Sequence, residues 1–423
     1  MPVRSFAVIG SGVSGLVAAH VLSRSGPVSL YEAADRPGGH AHTHDVVQSD
    51  GSLIAVDSGF IVHNDRTYPT LQRLFHELDV PTQASDMSMS IHVPESGFQY
   101  AGGNGMGGVL ADARTVARPG FLRMLLDIKR FHRRARTFLD APEQDDVSMQ
   151  EWLGQSSYGR DFTENFIRPV IAAVWSCAPQ VALEYPARSL LSFLDHHGML
   201  TVSGSPTWRT VTGGSRVYVE RVVAGLHHVL LNTPVTAVRR VHDGVEVTDG
   251  AGTVVRYDGV VIATHPHQAL SMLASPTDAE SRVFGAMTYS INTAQLHTDT
   301  SVLPTNRRAW ASWNYLTPHN GSEVVVTYDM TRLMRLSNPN STDGTRMLVT
   351  LNGEDHVDTR TVLAQMTYEH PLYTLESLSA QRELPTLSGD RVAFAGAYHG
   401  WGFHEDGALS GLRAAESLGG SWD

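Results

Sequence analysis

The 423-residue chain contains one cysteine, Cys177, and one lysine, Lys129. A single cysteine excludes an internal disulfide framework and any cysteine-rich zinc or iron–sulfur site, and it is consistent with a reducing compartment. A single lysine leaves Schiff-base chemistry with one candidate. Charged residues are sparse at 18%, and acids outnumber bases to give a formal net charge of −11. That balance argues against nucleic acid as a partner. No apolar run approaches the roughly 20 residues that a membrane-crossing helix needs. Met1-Pro2-Val3-Arg4 leads straight into the first apolar run, so no signal peptide is expected. The expectation is a cytoplasmic protein, long enough for two domains with full cores.

What is present begins at once. Phe6-Ala7-Val8-Ile9 is a short apolar run, Gly10-Ser11-Gly12-Val13-Ser14-Gly15 follows it, and an Ala/Leu/Val-rich helical pattern comes next. A second apolar run, Val28-Ser29-Leu30-Tyr31, ends in Glu32-Ala33. Strand, Gly-x-Gly-x-x-Gly, helix, strand and acid in that order form the dinucleotide fingerprint. Gly10 permits the tight turn, Gly12 a close approach to pyrophosphate, and Gly15 packing of helix on strand. Glu32 stands where a carboxylate accepts ribose hydroxyls. Alone, this motif allows either NAD or FAD.

Ala34-Asp35-Arg36-Pro37-Gly38-Gly39-His40 comes next. With the first motif it resembles the N-terminus of the flavin-dependent amine oxidase superfamily, which includes monoamine and polyamine oxidases, protoporphyrinogen oxidase and phytoene desaturases. His40 replaces that family's usual second arginine. The resemblance implies FAD, with Arg36 neutralising the diphosphate and Gly38, Gly39 and His40 against the cofactor. It also implies that Gly59, Phe60 and Ile61 run beside the isoalloxazine, and that the Val235 backbone meets the adenine. Gly396, Ala397, Glu405, Asp406, Gly407 and Ala408 would close the site from the C-terminal strand–loop–helix. The implied fold is α/β, a Rossmann-like, glutathione-reductase-like FAD domain of amine oxidase type with a discontinuous α+β substrate domain. The FAD domain would take 1–66, 205–270 and 385–423, and the substrate domain 67–204 and 271–384.

Other segments are read from pattern. Tyr68 to Val80 repeats Leu71, Leu74, Phe75 and Leu78 at helical spacing and stops at Pro81. Gly102 to Gly108 reads as a connecting loop, and Val357 to Met366 as a helix. His40, His42 and His44 alternate on an expected strand and would share a face, but no thiol or carboxylate accompanies them, so no metal is assigned. Pro119 to Asp140 is a basic amphipathic helix. It suits docking on anionic lipid at the inner face of a membrane, or the plainer reading of a solvated surface helix with its stripe in the core.

The chain departs from the amine oxidases where their chemistry lies. Lys129 belongs to the basic helix rather than to a flavin contact, and Ala397 replaces the carboxylate after the last strand. Gly59-Phe60-Ile61-Val62, Trp313-Asn314-Tyr315 and Gly402-Phe403-His404-Glu405-Asp406-Gly407 look closer to a bacterial branch of FAD oxidoreductases associated with fatty-acyl modification. The expected function is removal of hydride from a largely apolar small molecule or acyl lipid; amine oxidation and flavin-dependent double-bond isomerisation are the alternatives. His404 and Glu405 are the candidates for proton handling, with His63 and His399 behind them.

Overall fold

The structure is a computed structural model that describes residues 4–103, 105–142, 146–201, 205–317, 324–336 and 345–423. Met1, Pro2 and Val3, read above as leading into the first strand, and Asn104 of the glycine-rich stretch lie outside the described residues. At the centre of one half is a five-stranded parallel sheet. Its order is His228–Leu230, Val28–Tyr31, Phe6–Ile9, Gly259–Ile262, Val392–Phe394. All five strands come from the three segments expected to form the nucleotide domain. The strands are short and apolar on both faces because helices cover each side.

Helix Val13–Leu22 buries nine of its ten residues. It lies between the sheet and the last helix, His404–Ser417, with which it makes its most extensive packing. Such all-round burial explains why the segment lacks a polar face. Two glycines make the entry to this helix feasible. Gly10 has φ +96°, and a Cβ on Gly15 would sit 1.9 Å from the Gly10 carbonyl oxygen. Val235–Val241, Gly244–Asp249 and Val254–Tyr257 form a small antiparallel sheet beside this core.

The other half is built on a seven-stranded sheet that draws strands from both sides of the nucleotide segments. Val362–Pro371, Tyr289–His297, Leu348–Leu351, Val325–Asp329, Trp313–Leu316, Met89–Val93 and Phe98–Gly102 lie side by side in that order. Helices Pro119–Asp140, Arg168–Trp175 and Ala187–His196 share its core, with Phe121, Phe131, Trp152, Phe162 and Leu190 fully buried.

Three local expectations fail. Val357 to Met366 is not helical: it forms a short 3-10 turn and then the edge strand Val362–Pro371, where nine paired residues of ladder with Tyr289–His297 outweigh weak helical periodicity. Gly105–Val109, read as loop, is a short helix. His40, His42 and His44 do not alternate along one strand, because the strand begins only at Thr43. His42 and His44 rings lie 4.1 Å apart, His40 stacks on Tyr368 at 4.8 Å, and His42 Nδ1 lies 3.2 Å from the Tyr368 hydroxyl.

Candidate active site

A cavity of about 1070 Å³ extends from the first parallel strand into the helical half. One end is lined by Gly10, Ser11, Gly12, Val13 and Ser14, with Glu32, Ala33 and Val235 beyond them. No side chain caps helix Val13–Leu22, so its first-turn N–H groups have no intrahelical acceptor and face this end with the positive pole of the helix. A Cβ on Gly12 would meet nothing within 4 Å. Glu32 closes the end: Oε2 accepts from the Ser11 N–H at 2.9 Å and from the Ser11 hydroxyl, and Oε1 accepts from the Ala34 N–H at 2.9 Å.

The middle of the cavity is lined by Gly39, His40, Gly59, Phe60 and Ile61 on one side and by Gly396, Ala397, Phe403 and His404 on the other. His404 stacks on Phe60, with ring centroids 3.6 Å apart, and shares a 2.9 Å hydrogen bond with the Tyr218 hydroxyl. Burial lowers its pKa to about 3, so the ring is neutral at physiological pH. His40 is also held well below its ordinary value, by burial first and then by its histidine neighbours.

The far end is a chamber of Phe131, Phe166, Val170, Val174, Trp175, Phe193 and Leu194. His197 lines the cavity beside Phe193 and Leu194. His197 donates Nδ1–H to the Phe193 carbonyl at 2.9 Å, because a carbonyl can only accept. Nε2 therefore carries the lone pair, and no other hydrogen bond to the ring occurs among the described residues. Phe193 and Phe403 flank the ring at 4.0 and 5.8 Å, and burial lowers its pKa to about 4.

The model of the family described as flavin containing amine oxidoreductase matches residues 13–418. The chain belongs to that family. It is accordingly an FAD-dependent oxidoreductase. None of the curated proteins compared matches it. Among solved structures it is similar to cyclohexylamine oxidase from Brevibacterium oxydans IH-35A, at TM-score 0.69 and 16% identity over 99% of both chains. It is also similar to a CLA-producing fatty acid isomerase from P. acnes, at TM-score 0.69 and 15% identity over 96% of this chain and 97% of the other. A putative protoporphyrinogen oxidase from Exiguobacterium sp. 255-15 gives TM-score 0.68 and 13% identity over 99% of both. Likeness at such identities concerns the fold.

The cavity of this flavoenzyme fits FAD on its own evidence, since an uncapped helix N-terminus faces open space at Gly12. Several residues singled out in the sequence stand elsewhere. The Arg36 guanidinium donates to the Gly39 carbonyl at 2.8 Å and lies along its own loop, outside the cavity wall. Gly15 and Gly38 are one layer behind the wall, with the Gly38 N–H donated to the Ser11 carbonyl and hydroxyl oxygens.

The assignments at the C-terminal helix change most. Glu405 accepts from the Thr70 and Leu71 N–H groups at 2.9 and 3.0 Å, so it caps helix Pro69–Glu77 rather than facing the cavity. Asp406 accepts from the Phe403 N–H at 2.9 Å and caps its own helix. Gly407 and Ala408 pack against helix Val13–Leu22 and the neighbouring core. His63 is buried against Phe75 and Tyr68, His399 packs beside Tyr398, and neither lines the cavity. His404 alone of the four proton candidates does. His197, which sequence reasoning missed, is the histidine with a defined free nitrogen in the chamber. Its only sequence signal was a paired His196-His197 at the end of an amphipathic helix.

Proposed function

We propose that this flavoenzyme dehydrogenates an acyl chain, in the manner of a desaturase. The supporting observation is the charge content of the cavity wall. Among the described residues no lysine or arginine lines it, and its two acids are both engaged: Glu32 with Ser11, Glu369 with His265 at 2.8 Å. The aromatic chamber has no carboxylate to hold an ammonium group, and its walls match methylene. Lys129 is exposed on helix Pro119–Asp140, away from the chamber.

FAD, when bound, supplies a two-electron acceptor for the hydride that leaves one carbon. Nε2 of His197 takes the proton from the adjacent carbon as the double bond forms, and the Phe193 carbonyl orients the ring. Phe131, Trp175 and Phe403 exclude water from the reacting carbons. His404, stacked on Phe60 and bonded to Tyr218, positions rather than transfers.

The test is anaerobic reduction of the FAD-loaded protein. Acyl lipids bleach the flavin and simple amines do not; the reverse, with peroxide released from amines in air, refutes the proposal. A product of unchanged mass with no oxidant consumed would instead identify an isomerase. His197→Gln is expected to lower kcat more than tenfold and leave KM within about twofold, since it removes the free ring nitrogen but keeps the volume. Unchanged kcat removes His197 from the chemistry.

A further inference from the structure

We propose that the outward face of helix Pro119–Asp140 docks the protein on an anionic phospholipid bilayer. The inward stripe of this helix, Phe121, Met124, Asp127, Phe131 and Ala135, is buried and accounts for its place in the fold. That stripe does not account for the opposite side. Leu122 and Leu126 are 55% and 67% exposed and stand one turn apart, followed on the same side by exposed Lys129, Arg130, Arg133 and Arg136.

The charges on this face are available to a partner. The side chains of Lys129 and Arg133 form no hydrogen bond or ion pair among the described residues, while Arg130 donates to the Ser157 carbonyl and Arg136 to the His132 carbonyl. The helix carries six basic and two acidic residues in a chain of net charge −11. One of the acids, Asp127, faces inward and accepts the Gly159 N–H. Exposed leucines beside unpaired cations match the boundary between acyl chains and anionic headgroups, where both kinds of side chain are satisfied at once. A nucleic acid or a polar acidic surface would leave the leucines in water.

The position of the helix gives docking a consequence. Its inner side contributes Phe131 and His132 to the cavity wall, and the partly exposed Met199 also lines the cavity. Docking therefore holds the chamber beside the lipid that would supply its substrate. In that respect the inference rests on the acyl-chain reading; the docking itself does not.

The experiment is flotation of the full-length, FAD-loaded protein with vesicles of phosphatidylcholine alone and of phosphatidylcholine and phosphatidylglycerol in equal parts. Binding is expected to the anionic vesicles only and to weaken as salt is raised. Lys129→Glu with Arg133→Glu should weaken it at least 20-fold, at about fivefold for each charge lost, and Leu122→Ser with Leu126→Ser comparably. All four side chains are exposed, so flavin content and circular dichroism should stay at wild-type values. Absence of wild-type binding, or binding that neither pair weakens, overturns the proposal. Vesicle binding without flavin reduction by any acyl lipid refutes the acyl reading and leaves docking intact; turnover of a dispersed acyl substrate without vesicle binding does the opposite.

Discussion

Gly12 and Gly15 belong to one motif, yet they should fail in different ways when each is replaced by alanine. At Gly12 the backbone has φ −63° and ψ 175°, which alanine adopts freely, and the new methyl meets nothing within 4 Å. The loss of helix-capping preference, up to about 1 kcal/mol, is offset by a comparable entropic gain from stiffening the unfolded chain. Flavin-free Gly12→Ala should therefore melt within a degree or two of wild type. The methyl does stand in the space where a diphosphate meets the helix N-terminus. Displacing one charge-assisted hydrogen bond costs about 2 kcal/mol, or roughly thirtyfold in the Kd for FAD. At Gly15 the methyl would lie 1.9 Å from the Gly10 carbonyl oxygen. Strand and helix would have to part, at about 3 kcal/mol or more, and the flavin-free fold itself should weaken. Thermal melts of both flavin-free variants, with FAD titrations followed by quenching of flavin fluorescence, separate the two effects. A Gly12→Ala protein that binds FAD as tightly as wild type would refute this placement of the diphosphate.

Three further outcomes are expected. Glu405→Ala removes the cap of helix Pro69–Glu77 and should cost about 1–2 kcal/mol in urea unfolding, while kcat stays within twofold; a large fall in kcat at unchanged stability would restore Glu405 to the chemistry. Eight histidines (His42, His63, His132, His197, His297, His370, His399 and His404) are lowered by burial to about 3 or 4. The unfolded chain therefore binds more protons than the folded one between about pH 4 and 6.5, and stability falls as pH falls through that window. Asp57 and Asp406, raised by burial to about 6 and 7, act in the opposite direction but are outnumbered; a Tm that stays flat or rises from pH 6.5 to 4.5 contradicts this balance. Burial pushes the Cys177 thiol up to about 12, so a disulfide reagent should titrate no thiol in the native protein and one in denaturant.

The nucleotide end was legible in the sequence because local rules govern it. Gly10, Gly12 and Gly15 have one arrangement that satisfies strand, turn and helix together, and the parallel strands are short apolar runs bounded by glycine or acid. The catalytic end was not, for a different reason. Glu405 looked chemical because it lies beside His404 in a loop near a flavin motif, but its carboxylate is used by the N-terminus of a helix more than three hundred residues earlier. Arg36 looked like a phosphate ligand, yet nearby carbonyls hold its guanidinium. No spacing rule encodes either contact. His197 has the converse history: nothing around it in the chain marks it, and its orientation depends on one carbonyl four residues back and on an aromatic ring from the C-terminal loop.

The neutral state of the histidines bears on which substrate the cavity can hold. His40, His132, His197, His370 and His404 all line it, and burial lowers the pKa of each. These rings thus offer hydrogen-bonding nitrogen without positive charge of their own, and the two acids of the wall, Glu32 and Glu369, lie outside the aromatic chamber on bonds to Ser11 and His265. An amine reaching the chamber as an ammonium would have to leave water with no free carboxylate to meet it, a penalty of several kcal/mol. It could instead shed its proton first, at 1.36 kcal/mol for each unit between its pKa and the pH. A hydrocarbon chain meets neither cost and gains about 0.8 kcal/mol for each methylene buried. A run of four methylenes therefore gains about 3 kcal/mol where a charged amine loses as much or more, and this difference supports the acyl-chain proposal over amine oxidation.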